Sequence, residues 1–217
     1  MKEGDFIRID YVGKISESNE TFDSTREDVA KEGGIYNPKI KYGSIPVIIG
    51  ANFVVKGLEE GLKEMEVGKK KKITVKPEDA FGERDAKLIK LLSMSEFKKQ
   101  GITPHPGMPI TINNVRGRIL SISGGRVRVD FNHPLAGKTL EYEVEIEKEI
   151  TDLKEKIAAI LEYCLQVDEK DVDIKLGEEL VEINIRIDTS KFVRKTIADM
   201  IKKWISEIKK VRFVDEY

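Results

Sequence analysis

The stretch that decides the fold is VIIGANFVVKGLEEGLKEMEVGKKKKITV, residues 47–75. It starts as a short apolar strand that ends at Gly50 and closes as a second strand entered through four lysines. Between these strands, apolar residues at spacings of three and four predict one face of an amphipathic helix: Val54, Val55, Leu58, Leu62 and Met65. Glycines inside this helix, Gly57 and Gly61, predict either close backbone packing or a bound ligand.

Two further strands extend this unit. FIRIDYVGKI, residues 6–15, is close to an apolar–polar alternation and predicts a strand with one buried face. KTLEYEVEIEKEI, residues 138–150, alternates more strictly and is more similar to the early strands than to its own neighbours. We therefore predict one discontinuous domain, residues 1–85 and 133–150, interrupted by an insertion.

The insertion, residues 86–132, differs from the rest of the chain in charge. It has eight cations and two acids, a net charge of +6. A short helix is predicted at 95–99 together with three β-patterned runs, and Gly124-Gly125 predicts a hairpin turn. The arginines of two of these runs alternate, so that each pair shares one face of its strand: Arg116 with Arg118, and Arg126 with Arg128. We favour a solvated outer surface over RNA binding for these arginines.

The insertion also has more large apolar residues than its own core needs. We expect these to be exposed and to bind unfolded segments: Leu88, Leu91, Leu92, Met94, Phe97 and Met108.

The last part, residues 151–217, predicts a separate domain with the order αββαβ. Its longer helix has an apolar stripe that includes Trp204, which is typical of a core or of a dimer interface. The pattern fits a homodimer interface or a client-binding domain, and it does not choose between them.

Composition excludes several other classes. The single cysteine, Cys164, excludes an intramolecular disulfide framework, and there is no apolar run long enough for a signal peptide or a membrane span, so we expect a cytoplasmic protein. His105 and His133 lie beside prolines, far from the cysteine in sequence. We therefore expect no metal site, no cofactor and no nucleophile–base pair.

What remains is a set of aromatic and aliphatic residues with one isolated carboxylate: Tyr11, Phe22, Asp23, Val54, Val55, Phe81 and Tyr142. Asp23 has two interpretations. As part of FDST it is a turn residue, which the residues alone favour. It could also orient a pocket group such as Tyr11, or polarise a substrate amide.

Several ordered motifs carry a resemblance to a known family. FIRIDYVGKI, TFDST, residues 47–82 and LAGKTLEYEVEI together resemble the FKBP-type peptidyl-prolyl cis-trans isomerases. The chain is similar in particular to the SlyD-like branch, which carries an insert-in-flap chaperone domain. That insert follows a turn matched here by DAFG, residues 79–82, and the catalytic domain resumes at NHPLAG, residues 132–137. The long form with an extra C-terminal domain resembles archaeal members.

The resemblance implies an α+β fold: an FKBP-like antiparallel sheet wrapped on one helix, with an inserted mainly-β flap domain and a C-terminal αββαβ domain. It places around the proline-binding pocket the residues Tyr11, Phe22, Asp23, Val54, Val55, Leu58, Phe81 and Tyr142, with Ile45 as a further wall. Leu58 stands where compact members have tryptophan, and Phe81 where a tyrosine often supplies a hydroxyl. For Asp23, the resemblance reverses the preference for a turn residue.

The implied function is a peptidyl-prolyl cis-trans isomerase that accelerates proline-limited protein folding, with chaperone activity from the flap domain. Its partners would be unfolded or nascent polypeptides with X-Pro bonds, and we expect neither a membrane nor nucleic acid as partner. The alternative is a non-catalytic holdase chaperone or a ribosome-associated binding module.

Overall fold

The residues described by this computed structural model, 1–167 and 171–214, form twelve strands and five α-helices. In the first part of the chain these are β1 (Phe6–Ile15), β2 (Thr21–Ser24), α1 (Glu27–Glu32), β3 (Ile45–Ile48), α2 (Lys56–Lys63) and β4 (Lys70–Val75). The middle part holds β5 (Ile89–Ser93), α3 (Met94–Lys99), β6 (Pro109–Ile112), β7 (Val115–Ser123) and β8 (Arg126–Asp130). The last part holds β9 (Leu140–Glu149), α4 (Leu153–Leu165), β10 (Val172–Leu176), β11 (Leu180–Ile185), α5 (Lys191–Trp204) and β12 (Lys210–Phe213).

Strand β1 is the centre of a five-stranded antiparallel sheet with the order β2-β1-β9-β4, in which β3 also pairs with β1. The ladder between β1 and β9 is the longest, and it runs from Ile7 opposite Glu149 to Ile15 opposite Leu140. The predicted mixed fold with antiparallel sheets and few helices is confirmed at this level.

Helix α2 packs on this sheet and is shorter than predicted. The chain is still extended at Val55, which precedes the first helical residue, and β-branched valines favour that conformation. Within the helix, a Cβ added to Gly61 would lie 2.5 Å from the Cδ1 atom of Ile73 on β4. Close packing, rather than a ligand, therefore explains this glycine.

The middle part of the chain forms a second antiparallel sheet with the order β5-β8-β7-β6. Its core consists of five buried side chains: Phe97, Ile110, Ile119, Val127 and Val129. The predicted hairpin turn is confirmed, because Gly124 and Gly125 join β7 to β8 with φ angles of 57° and 73°. Edge strand β5 adds a fourth strand to the three β-patterned runs.

The chain enters and leaves the middle part at one narrow neck. The Gly137 amide donates to the Gly82 carbonyl at 2.9 Å. Further along, the Asp85 amide donates to the Asn132 side chain at 2.8 Å, and the Asn132 amide group donates back to the Asp85 carbonyl at 3.0 Å. These bonds hold the two ends of the middle part together.

The last part of the chain builds a three-stranded sheet in which β10 and β11 are antiparallel and β11 and β12 are parallel. Its helices share a core with the first part, because Phe6 and Ile48 belong to the same cluster as Ile157 on α4. The Arg8 guanidinium also binds the Glu162 carboxylate on α4 with two bonds, at 2.8 and 2.9 Å.

Packing divides the chain into two compact units, Met1–Val75 with Leu140–Tyr217, and Lys76–Thr139. The domains predicted from the sequence, 1–85 with 133–150, 86–132 and 151–217, stay predictions.

The contact between α2 and β4 leads to a stability prediction. Gly61→Ala should lower the free energy of unfolding by about 1–3 kcal/mol, because the new Cβ overlaps Ile73 in a packed core. This runs against helix propensity, which alone would raise stability by about 1 kcal/mol. Urea unfolding of Gly61→Ala beside Glu60→Ala, at an exposed position of the same helix, distinguishes the two effects. A gain in stability for Gly61→Ala would mean that α2 and β4 are not in close contact.

Candidate active site

Aromatic side chains and one carboxylate meet on the face of the central sheet that α2 covers. Gly13 on β1 lies directly opposite Asp23 on one side and Tyr142 on the other. Tyr11, two residues earlier, shares this face, because directly opposed and alternate strand residues point the same way. Tyr142 is in turn opposite Ile73, the residue that packs against α2. The strand register alone therefore gathers Tyr11, Asp23 and Tyr142.

Phe22 joins this group through a β-bulge. The register of β1 and β2 slips just after the Gly13–Asp23 pair, and Phe22 is left without an opposite residue. Its ring lies over Gly13, where an added Cβ would be 2.7 Å from the Phe22 Cζ atom. The same ring meets Tyr142 edge to face, with centroids 5.7 Å apart.

Gly13 is thus a site residue that sequence reasoning missed. The signal for it was a glycine inside a strand pattern, which marks a bulge or a close approach.

Tyr11 and Asp23 form the polar contact of the cluster. The Tyr11 hydroxyl donates to the Asp23 carboxylate at 2.7 Å, and its ring meets Tyr142 with centroids 5.9 Å apart. Burial raises the pKa of Tyr11 above its usual value, and the Asp23 charge raises it further. Burial, with Asp23 again adding, also raises the pKa of Tyr142. Both phenols therefore stay protonated at neutral pH and are hydrogen-bond donors.

This geometry decides between the local interpretations of Asp23. The reading of FDST as a turn is wrong, because Thr21–Ser24 is strand β2. The contact with Tyr11 is the one that an orienting role needs. A part for Asp23 in catalysis stays a prediction.

The Tyr142 hydroxyl has no partner within the described residues, although the side chain is only 4% exposed. None of the fully enclosed side-chain oxygens or nitrogens in that part of the chain lacks a partner, so this hydroxyl keeps some access to solvent. A buried phenol ring with an unpaired donor at its tip is ready to bond a group that enters from solvent.

The aliphatic residues of the predicted pocket lie at the start of α2. Val54 and Val55 are half-buried and Leu58 is buried. Leu58 belongs to the helix that covers the same face of the sheet as Tyr142, and Val54 and Val55 directly precede that helix. The structure thus places seven of the eight predicted residues in one unit.

Phe81 belongs to the other unit, residues 76–139. It is half-buried, and its ring stacks on that of His133 with centroids 4.2 Å apart. Its assignment to the pocket stays a prediction. Ile45, the further wall residue, is half-buried in β3 opposite Ile9.

The six apolar residues predicted to bind unfolded segments are not equally exposed. Leu88 and Leu91 are 42% and 63% exposed. Three others pack partly against the core of the second unit: Leu92, Met94 and Met108. The prediction of an exposed side chain is wrong for Phe97, which is 4% exposed and lies inside that core. A small sheet needs one large side chain from α3 to fill its core. Client binding by this set stays a prediction.

Within residues 1–167 and 171–214, no three His, Cys, Asp or Glu side chains are arranged to hold a metal ion. Cys164 lies half-buried on α4, and burial raises the pKa of its thiol. None of the helices in the same residues is both long and apolar enough to cross a membrane.

Comparison with known proteins matches the sequence of this chain to one family. Residues 90–135 match a family described as the IF domain of FKBP26. A short-type peptidyl-prolyl cis-trans isomerase of Methanocaldococcus jannaschii is 34% identical over 146 residues, which cover 67% of this chain and 92% of that protein.

Two bacterial relatives are similar over shorter stretches. The FKBP-type isomerase SlyD of Helicobacter pylori is 30% identical over 126 residues, which cover 55% of this chain and 67% of its own length. The FKBP-type 16 kDa isomerase of Escherichia coli is 34% identical over 103 residues, covering 45% of this chain and 68% of that protein. On this similarity, the chain belongs to the FKBP-type peptidyl-prolyl cis-trans isomerases and is an enzyme of that class.

Proposed function

We propose that this isomerase turns over X-Pro bonds in unfolded or nascent polypeptides of the cytoplasm and so accelerates proline-limited folding. Its inserted domain acts as a chaperone that holds these polypeptides near the site. The observation that carries the proposal is the cluster of Tyr11, Phe22 and Tyr142 around Asp23 on one sheet face.

The chemistry needs a shaped apolar site more than it needs an acid or a base. Rotation about an X-Pro bond crosses a barrier of about 20 kcal/mol, because amide resonance is lost in the twisted state. The planar amide is more dipolar than the twisted one, so dry aromatic walls penalise the ground state more than the transition state. Each 1.4 kcal/mol of this difference gives about a tenfold gain in rate.

The two tyrosines have different parts in this site. Tyr11 is engaged with Asp23, so its ring is held in place and its hydroxyl is already used. The Tyr142 hydroxyl is the donor left for a substrate carbonyl. A carbonyl bonded at this point would be anchored while the proline ring rotates against Phe22 and Tyr142.

Substitutions distinguish the contribution of the aromatic wall from that of the hydrogen-bond donor. Phe22→Ala, Tyr142→Ala and Asp23→Ala should each lower kcat/KM on a short prolyl peptide, the two aromatic truncations by about tenfold or more, because the wall is lost. Tyr142→Phe keeps the ring and removes one hydrogen bond of about 0.5–1.5 kcal/mol, so a loss of roughly two- to twelvefold is expected. A protease-free isomerisation assay measures these rates.

Tyr36→Ala is the matched control, because Tyr36 is an exposed tyrosine of the same unit, outside the cluster. It should keep the wild-type rate. If all three alanine variants also keep that rate, the site lies elsewhere in the chain.

The inserted domain supports the second half of the proposal. Its two ends are joined by the bonds between Asp85 and Asn132, and its surface includes exposed Leu88 and Leu91. A polypeptide held by such a tethered module presents its prolyl bonds at a high effective concentration.

Removal of the insert tests this half. Residues 86–131 can be replaced by a short glycine-serine linker, because the neck residues are already bonded to each other. We expect refolding of a proline-limited protein to slow about tenfold or more, while kcat/KM on a short peptide changes little, since only the long substrate uses the tether. Refolding catalysis as fast as with the intact chain would contradict a chaperone role for the insert.

A further inference from the structure

The outer face of the second sheet carries four exposed arginines. Arg118 on β7 is opposite Asp130 on β8, so the two share a face, and Arg126 and Arg128 share it by alternation. Arg116 lies on the same face two residues before Arg118. The core residues Val127 and Val129 point the other way. We call this set of four side chains the arginine face.

Register sets the spacing of this face. Alternate residues of a strand are about 6.8 Å apart. Along the sheet, positions at this spacing hold first Arg126, then Arg128, then Arg118, which is opposite Asp130, and then Arg116. An extended polypeptide has the same step between alternate side chains. The face therefore matches a strand-like segment with acidic residues at every second position.

The positive charge of this face is not neutralised by its own surroundings. Its one carboxylate, Asp130, is bound by Arg84 and by Asn132, which hold the pKa of Asp130 below its usual value. In the described part of the chain no hydrogen-bond acceptor or carboxylate binds the guanidinium of Arg116, Arg126 or Arg128. Three charged donors are thus open to a ligand.

The surroundings of the arginines favour a polypeptide over a nucleic acid. Leu91 is opposite Arg128 on β5 and is 63% exposed, and it offers apolar area beside the charges. Among the strand residues that share this face there is no aromatic ring on which bases could stack, although stacking is the usual complement to basic side chains in single-strand binding.

We propose that the arginine face binds acidic segments of client polypeptides in an extended conformation. This inference rests on the proposed function, because it names the class of segment that the insert would hold for the isomerase. Arginine suits the task, since its planar fork bonds a carboxylate through two N–H groups.

The test distinguishes the effect of where the positive charges lie from the effect of the net charge. R116Q, R126Q and R128Q together remove the three open arginines, and K90Q, K98Q and K99Q together remove three exposed lysines from the same unit. Lys90 is opposite Val129 and so points away from the arginine face, and Lys98 and Lys99 belong to α3, whose Phe97 fills the core on the other side. Both variants lose the same charge.

The probe is a fluorescent prolyl peptide with glutamates at alternate positions, and its reference has glutamines instead. For the full-length wild type, fluorescence anisotropy should give about tenfold tighter binding of the glutamate peptide, as expected for a few charge-assisted contacts, with the advantage shrinking at high salt. The arginine variant should lose this advantage and the lysine variant should keep it.

Equal losses in both variants, or equal binding of both peptides to the wild type, would overturn the inference. Tighter binding of an oligouridylate of the same charge through the same arginines would also overturn it, in favour of nucleic acid. Isomerisation of a short neutral peptide tests the proposed function separately: if the wild type lacks that activity but binds the glutamate peptide, only the proposed function fails.

A second inference rests on the loop that leads into α2. Residues 50–55 carry two predicted wall residues, Val54 and Val55. The Asn52 amide donates to the buried Glu59 carboxylate on α2 at 3.2 Å. The ring of the next residue, Phe53, stacks on that of Tyr163 of α4, with centroids 3.5 Å apart and an angle of 10° between the ring planes.

We infer that Tyr163 is a positioning residue for the isomerase pocket. Phe53 precedes Val54 directly, so a shift of its ring moves the wall. Asn52 has a φ of 57°, in the left-handed region that few residues other than glycine and asparagine adopt. The last part of the chain therefore supports the wall through one aromatic contact. This inference also depends on the predicted pocket.

Tyr163→Ala should lower kcat/KM on a short prolyl peptide about fivefold, a loss within the range of an aromatic pair. Tyr163→Phe keeps the stacked ring and should stay within about twofold, as an intact stack requires. Phe192→Ala is the matched control, because Phe192 is 79% exposed on α5 of the same unit. Methyl relaxation of Val54 and Val55 should show greater motion only in Tyr163→Ala.

Fluorescence of Trp204, the single tryptophan, verifies that each variant is folded at the assay temperature. Full activity and unchanged methyl motion in Tyr163→Ala would overturn the inference. Equal losses in Phe192→Ala would also overturn it. If the wild type itself has no activity on the peptide, the proposed function fails, and the methyl measurement still tests the contact.

Discussion

The antiparallel pairing of β1 with β9 is the constraint on which the rest of the structure depends. These strands come from opposite ends of the discontinuous sequence, and their ladder places Gly13 opposite Tyr142. With β2 on the other edge, the same glycine is opposite Asp23. A slip of one residue in either register would turn its strand over, so the polar and aromatic groups would no longer share a face. The site therefore depends on a pairing between two strands that the inserted residues separate in sequence.

Strand β1 packs against a different helix on each face. Tyr11 and Gly13 face the side covered by α2, whereas Phe6 and Arg8 point to the other side, where Phe6 joins the core of α4 and Arg8 binds Glu162. The prediction of a single buried face for this strand was therefore incomplete, because the second face is packed as well. A strand packed on both faces is held more rigidly than one exposed to water, which suits a site whose effect depends on the position of its walls.

Local patterns were enough to predict much of the fold. Alternation in residues 6–15 and 138–150 and the glycine pair at 124–125 are short-range signals with direct physical causes. Gly61 indicated either close packing or a ligand, and only the contact with Ile73 decides between them. Gly13 inside a strand pattern indicates a bulge or a close approach, but the residue of β2 that is left unpaired, Phe22, depends on the register between two strands. Likewise Phe97 could not be separated from the exposed apolar residues, since composition counts large side chains without saying which one fills the core. The Arg8–Glu162 pair joins residues too distant in sequence for any local pattern to reveal.

The energies involved explain why positioning matters so much in this kind of site. An aromatic contact contributes about 0.5–1.5 kcal/mol beyond its buried area, and 1.4 kcal/mol already changes a rate tenfold. In the proposed mechanism, which uses no acid, base or nucleophile, no single group dominates, and the rate gain is a sum of such contacts. A residue that holds a wall in place, as Tyr163 does through Phe53, then has an effect of the same order as the wall itself. The boundary between catalytic residues and supporting residues is accordingly less sharp in this fold than in an enzyme with a nucleophile.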